Sequence, residues 1–173
     1  MYKKCKTLAS SERQKQFEET LLKLMKKQPF KEITVSALCR EMEAPRKAFY
    51  RYFDSTEDVL YALMDEVLQG GFSKMEDRLE LERFFQFWME RRELLDILEK
   101  NSLSQKLMDR SYSLILTSEK LEAMTKKEMI YAGYVSAILT LVIMWHHTGM
   151  RQSPEEMKEM VHAMFFPNEG QLL

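Results

Sequence analysis

The sequence predicts an all-α protein, in which a three-helix N-terminal unit of the helix-turn-helix kind precedes a larger helical domain. Three observations point there. Only 5 Gly and 4 Pro occur in 173 residues, and Leu, Met, Glu and Lys, which favour helices, are abundant. Apolar residues recur at spacings of three and four. Several segments also open with Ser or Thr followed three residues later by a Glu, Gln or Asp, the pattern of a capped helix start. The length suits one or two domains with a sizeable core. With 45% hydrophobic and 31% charged residues, the chain is balanced as globular proteins are, which argues against disorder throughout.

The elements follow in order. Ser11, with Gln14 three residues on, is expected to cap a first helix whose apolar face is Phe17, Leu21, Leu24 and Met25. Gln28-Pro29 stops it. Thr34 caps a short second helix bearing Val35, Leu38, Cys39 and Met42. Pro45 fits the first position of a third helix, with Ala44 as its cap, running to about Phe53. Ser55 and Asp58 open a fourth, which Gly70-Gly71 is expected to end. The first domain is therefore placed at residues 1–54, with helix four (about 55–69) connecting it to a second domain over 70–173. Further helices are expected at about 73–81, 83–99, 103–116 and 119–148, the last breaking near Thr125, where Thr125 and Glu128 form a capping pair. Ser153-Pro154-Glu155-Glu156 opens a final helix to about Phe165.

Charge is unevenly shared. Residues 1–53 carry 13 Lys and Arg against 6 Asp and Glu, net +7, while the remainder is net -8. A basic front end suits a polyanion. The two cysteines, Cys5 and Cys39, have no metal or redox spacing. Cys39 falls on an apolar helix face and reads as a small buried hydrophobe. Lys3, Lys4 and Lys6 are not followed by a long apolar run, so no secretory signal is expected and the cytoplasm is the default compartment. His146 and His147 are adjacent and point apart on a helix, so no metal is expected. No cofactor is expected either.

Helices two and three are joined by only Met42-Glu43-Ala44. Such a short connection sets them at a steep angle and exposes one face of the second. The positions of that helix outside the core are Arg46, Lys47, Tyr50, Arg51 and Tyr52, donors suited to phosphates and base edges. Arg46 and Lys47 sit in a first turn, where the helix dipole disfavours cations, and Ala44 offers no capping acceptor. That misfit is relieved beside an anion such as a phosphate.

Over residues 30–60 the chain resembles the TetR/AcrR family of bacterial regulators. The resemblance rests on Thr34-Val35 at the start of helix two, on Phe49-Tyr50-Arg51-Tyr52-Phe53 ending the recognition helix, and on Asp54-Ser55-Thr56-Glu57-Asp58-Val59-Leu60 after it. It implies that Thr34 and Tyr50 anchor phosphates, that Arg46 and Lys47 approach bases, and that Arg51 and Tyr52 lie along the backbone or groove edge. Thr56 stands where the family commonly has a lysine, which weakens one phosphate contact. Glu43 replaces the usual turn glycine, which implies a differently shaped turn. Ala44-Pro45 replaces a Val-Ser-like pair and removes a hydroxyl.

The resemblance also implies that the second domain binds a small effector and dimerises. Met129 to Trp145 is a 17-residue run without charge, at the short limit for a membrane span. A helix apolar all round and buried on both sides is the preferred reading, with no membrane partner. Together with the last helix it offers a four-helix dimer interface, for which Tyr134, Ala137, Ile138, Leu141, Trp145, Met157, Val161 and Met164 are the candidates. Candidates for an effector pocket are Phe84, Phe87, Trp88, Met108 and Tyr112, although each taken singly reads first as ordinary core. The expected partners are double-stranded DNA, a second copy of the chain, and a small molecule of unknown identity. The function expected is a ligand-responsive regulator of transcription, a repressor, binding a palindromic operator as a homodimer. The alternative is a helical protein-interaction module with a degenerate DNA-binding head. The absence of a phosphate-binding loop, of His-Glu-x-x-His and of Gly-x-Ser-x-Gly argues against an enzyme.

Overall fold

The computed structural model describes residues 2, 7–73, 81–115 and 124–165, and all regular structure among them is helical. The helices are α1 (Leu8–Met25), α2 (Val35–Glu41), α3 (Arg46–Phe49), α4 (Thr56–Phe72), α5 (Leu81–Met89), α6 (Arg92–Lys100), α7 (Ser104–Ile115), α8 (Lys126–His147) and α9 (Pro154–Phe165), with a 3-10 turn at Phe30–Glu32. The expected helix at about 73–81 lies largely outside the described residues. The chain divides into two compact units. One holds the described residues up to Val67 together with Ile97–Leu103. The other holds Leu68–Asp96 and the described residues from Ser104 onward.

The first unit is built on aromatic packing. Phe17 of α1, Phe49 of α3 and Phe53 are fully buried, with Leu21 and Leu38. Phe17 meets Phe49 edge-on at 5.4 Å and Phe53 at 5.9 Å, the geometry that ring quadrupoles favour. Lys23 of α1 and Lys27, just beyond its end, reach Glu41 of α2 at 2.6 and 3.7 Å. The hydrogen bond from Lys23 is the main reason the Glu41 carboxyl is held below its usual range. The end of α6 also belongs to this unit. Ile97, Leu98 and Leu103 are buried, and the Asn101 side-chain oxygen accepts the N–H of Phe30 at 2.7 Å.

Several starts fall where the sequence puts them. The Thr34 hydroxyl accepts from Ala37 N–H at 3.1 Å, and Ser55 accepts from Asp58 N–H at 3.1 Å. Thr125 and Glu128 form the full reciprocal pair at the start of α8, and Ser153 and Glu156 bond each other's backbone N–H groups before α9. The first helix is the exception. It begins at Leu8, capped by Thr7 rather than Ser11, because Ser10 stands in for the acid of a capping box and bonds back to Thr7. No breaker separates the two starts, so the earlier one extends the helix.

Two other expectations fail for stated reasons. The single helix expected over 83–99 is two helices. Arg91 stacks its guanidinium 3.6 Å from the centre of the Phe87 ring and donates a side-chain N–H to the Phe87 carbonyl at 3.1 Å. That carbonyl is the one an unbroken helix would offer to Arg91 N–H, which bonds Trp88 O instead. Gly70-Gly71 does not end α4, which runs to Phe72. A Cβ at Gly70 would lie 3.1 Å from the Phe87 ring, and one at Gly71 would lie 3.1 Å from Trp88 Nε1. The glycines therefore serve the close approach of α5 inside the second unit.

In that unit α8 is buried on one side through Ala132, Val135, Ile138, Leu139, Val142 and Trp145. Phe85 of α5 meets Trp145 edge-on at 5.7 Å, and Tyr134 meets Phe165 of α9 at 5.2 Å. Lys158 of α9 reaches Glu82 of α5 at 3.1 Å. The His146 ring lies 2.7 Å from an Asp96 carboxylate oxygen. The 22 residues of α8 are long and apolar enough to cross a membrane by length and composition alone.

Candidate nucleic-acid interface

The exposed cations of the first unit sit on a short scaffold. After α2 the chain reverses through Met42-Glu43-Ala44. Ala44 N–H returns to Cys39 O at 2.8 Å and Glu43 N–H to Arg40 O at 3.2 Å, a helix-ending motif that needs a left-handed residue between the helix and Ala44. Glu43 supplies it with φ 51°. The turn therefore keeps the shape that a glycine would give, contrary to the expectation of a different turn, at the cost of backbone strain. Ala44 is buried in the bend. Pro45, not Ala44, occupies the cap position, with φ −68° and ψ 143° and no side-chain hydrogen bond.

Regular helix then lasts only from Arg46 to Phe49, shorter than the expected run to Phe53. Tyr52 N–H and Phe53 N–H both return to Phe49 O, at 2.9 and 3.1 Å, which closes the segment as a turn. A four-residue helix sums few peptide dipoles. The first turn therefore opposes its two cations only weakly. What remains is placement. Phe49 and Phe53 point into the core, while Arg46, Lys47, Tyr50 and Arg51 are exposed and Tyr52 is half-buried.

Arg46 donates to the Tyr50 hydroxyl at 3.1 Å and lies 5.9 Å from that ring. This contact is the first of the causes that hold its guanidinium protonated beyond its ordinary range. Tyr50 in turn packs edge-on against buried Phe49 at 5.4 Å. Arg46 and Tyr50 thus form one outward-facing pair, seated on the core. Thr34 is exposed, and its oxygen is engaged as acceptor by Ala37, which leaves the hydroxyl proton to donate. Thr56 is half-buried in the first turn of α4. Cys39 is buried beneath the turn, and burial pushes its thiol up against the opposing influence of Arg46.

Two residues of this unit escaped the sequence reading. Asn101 lies 71 positions from the N–H it satisfies, and no local pattern marks it. Glu18 is buried. A signal existed for it, since it precedes Leu21 and Met25 by three and seven residues, on the apolar face.

In the second unit, Phe84 and Trp88 are buried and Phe87 is half-buried on α5, with Phe84 and Phe87 edge-on to Trp88 at 6.3 and 5.7 Å. Met108 and Tyr112 lie on α7, and Tyr112 is 40% exposed. Of the residues expected at a dimer interface, Ile138, Trp145, Met157 and Val161 are buried in the single chain. Tyr134, Ala137 and Leu141 are half-buried and Met164 is exposed. An all-apolar helix gives no hint of which side meets its own core, and the outward side is instead marked by Met129, Ile130, Tyr131 and Met144 on α8 and by Met160 and Met164 on α9.

Residues 19–63, which contain this turn and the exposed cations, match the family model of bacterial regulatory proteins of the tetR family. Residues 79–166 match that of a transcriptional regulator C-terminal region. The chain belongs to the TetR family. It is also similar to the crystal structure of a transcriptional regulator of the TetR/AcrR family from Thermobifida fusca YX-ER1, at 17% identity over 87% of this chain and 94% of that one, with a TM-score of 0.46. No curated protein matches it. As a TetR-family protein it is a DNA-binding regulator of transcription with an N-terminal helix-turn-helix, and its family is not one of enzymes.

Proposed function

We propose that this TetR-family regulator is a cytoplasmic repressor that binds a palindromic operator as a homodimer and releases it when a small effector binds its second unit. The observation that carries the reading is the outward set Arg46, Lys47, Tyr50 and Arg51, fixed by the buried pair Phe49 and Phe53 behind it. Arg46 and Lys47 reach base edges. Thr34, Tyr50, Arg51, Tyr52 and Thr56 hold phosphates and groove edge, which sets register without reading sequence.

The apolar stripe of α8 and α9 supports the dimer. Met129, Ile130, Met144 and Met164 are each more than half exposed, an arrangement that a second copy would cover, and a Cβ at Gly133 would meet nothing within 4 Å, so a partner helix could approach there. A two-fold dimer presents two recognition segments to half-sites about 34–36 Å apart. For the effector, Phe84, Phe87 and Trp88, with Met108 and Tyr112, supply apolar and aromatic surface. Release requires that the effector favour a form of the dimer that fits the operator badly.

The test is operator binding to the DNA upstream of the protein's own gene. Affinity should fall steeply with salt, as phosphate contacts release counterions. Arg46→Ala combined with Lys47→Ala should abolish binding and leave the oligomeric state unchanged. Unaltered affinity in that double variant would overturn the reading.

A further inference from the structure

Arg46 is tied down before any DNA arrives. Its guanidinium donates to the Tyr50 hydroxyl oxygen at 3.1 Å, and the guanidinium carbon lies 5.9 Å from the centre of the same ring. The two residues are four apart, so they fall on one face of a single helical turn. The ring they share is itself fixed. It packs edge-on against Phe49 at 5.4 Å, and Phe49 is fully buried against Phe17 and Phe53. A long, flexible side chain is thereby anchored to the core through one aromatic ring. Lys47 and Arg51, the neighbouring cations, are exposed and have no such tie among the described residues.

The chemistry of a phenol makes this contact more than a support. Its oxygen accepts while its proton donates. Arg46 takes the accepting side, so the hydroxyl proton is directed to another acceptor, and beside DNA that acceptor is a phosphate oxygen. Donating that proton leaves the phenol oxygen richer in electrons, which strengthens the hydrogen bond from Arg46. An arginine reads a guanine edge through two parallel N–H groups. Holding the planar fork in advance means that less freedom is lost when it meets the base.

We propose that Tyr50 is a positioning residue for Arg46: its hydroxyl holds the guanidinium in the attitude that reads a base edge, so that base discrimination by Arg46 depends on Tyr50. This rests on the reading of Arg46 as a base-contacting residue. It goes beyond a phosphate anchor, which would hold every DNA sequence alike.

The experiment uses the full chain and the DNA upstream of its own gene, with the base pairs of one half-site changed singly. Affinities are measured for wild type, Arg46→Ala, Tyr50→Phe and the double variant. Arg46→Ala identifies the base pair at which wild type discriminates by roughly tenfold or more and the variant does not. Tyr50→Phe keeps the ring and its packing. It should lose most of the discrimination at that base pair and keep it at the others. The two substitutions should also be non-additive, because removing the hydroxyl matters less once Arg46 is gone. A Tyr50→Phe variant that binds every duplex more weakly by one common factor, additively with Arg46→Ala, would overturn the proposal and leave Tyr50 a phosphate anchor. A readout without DNA separates this from failure of the base reading. By nitrogen NMR relaxation of the free protein, the Arg46 side chain should be ordered in wild type and mobile in Tyr50→Phe. Equal mobility in both overturns the positioning role whatever the DNA shows. An ordered Arg46 whose replacement by alanine leaves every duplex bound as before overturns the base reading, and the proposal with it.

Discussion

Glu43 shows how far one residue can depart from its family's pattern without changing the backbone. A glycine adopts the left-handed region freely, whereas a residue with a Cβ meets its own following carbonyl there. Glu43 is held at φ 51° because Ala44 must turn its N–H back to Cys39. Glu43→Gly should therefore stabilise the protein by about 1 kcal/mol, offset in part by the greater freedom of glycine in the unfolded chain, as measured by urea denaturation. A destabilised variant would mean that the glutamate side chain makes up for the strain. The residue's identity was legible as an anomaly in the sequence. Its conformation was not, because either a reshaped turn or a strained one satisfies the same spacing.

At the scale of elements, what could be read from the sequence was what depends on near neighbours. Thr34, Ser55, Thr125 and Ser153 act as caps because donor and acceptor lie within three residues of each other. What could not be read depends on choices made across space. Arg91 breaks a helix by taking a carbonyl that its own N–H would have used, and Gly70-Gly71 reads as a stop until Phe87 and Trp88 are seen against it. Asn101 is the clearest case. It holds the N–H of Phe30, which opens the turn leading into Thr34 and α2, and its amide donates to Ile97 O at 2.8 Å. Asn101→Ala should destabilise the first unit by about 1–2 kcal/mol, the cost of leaving a part-buried donor unpaired. Asn101→Asp keeps the acceptor for Phe30 but sets a carboxylate oxygen against Ile97 O, so it should be destabilised as well. A loss below about 0.5 kcal/mol in Asn101→Ala, read by urea denaturation, would show that the bond to Phe30 is not what matters.

For the whole molecule, charge and apolar surface divide the work. The basic first 53 residues face a polyanion, while the acidic remainder is repelled by it. That division was visible in composition alone. The face proposed for the dimer was visible only in outline, since Ile138 and Ile130 look alike in sequence and one is buried while the other is 66% exposed. Ile130→Glu combined with Met144→Lys changes residues on the outward side only. The pair should leave the melting of the separate chain little altered, halve the mass seen by analytical ultracentrifugation, and weaken operator binding by removing the second recognition segment. A variant that stays dimeric would move the interface elsewhere.

The grouping of Ile97–Leu103 with the N-terminal residues bears on how the protein is made. The DNA-binding head is continuous in space and interrupted in sequence, so its last piece is synthesised some thirty residues after Val67. At ribosomal speeds of roughly 5–20 residues per second, the N-terminal helices leave the ribosome seconds before the segment that carries Asn101 and the buried Leu98 and Leu103. Until that segment arrives, the N–H of Phe30 waits for its acceptor and the head lacks part of its core. A nascent chain therefore cannot finish its DNA-binding surface before α6 has been made.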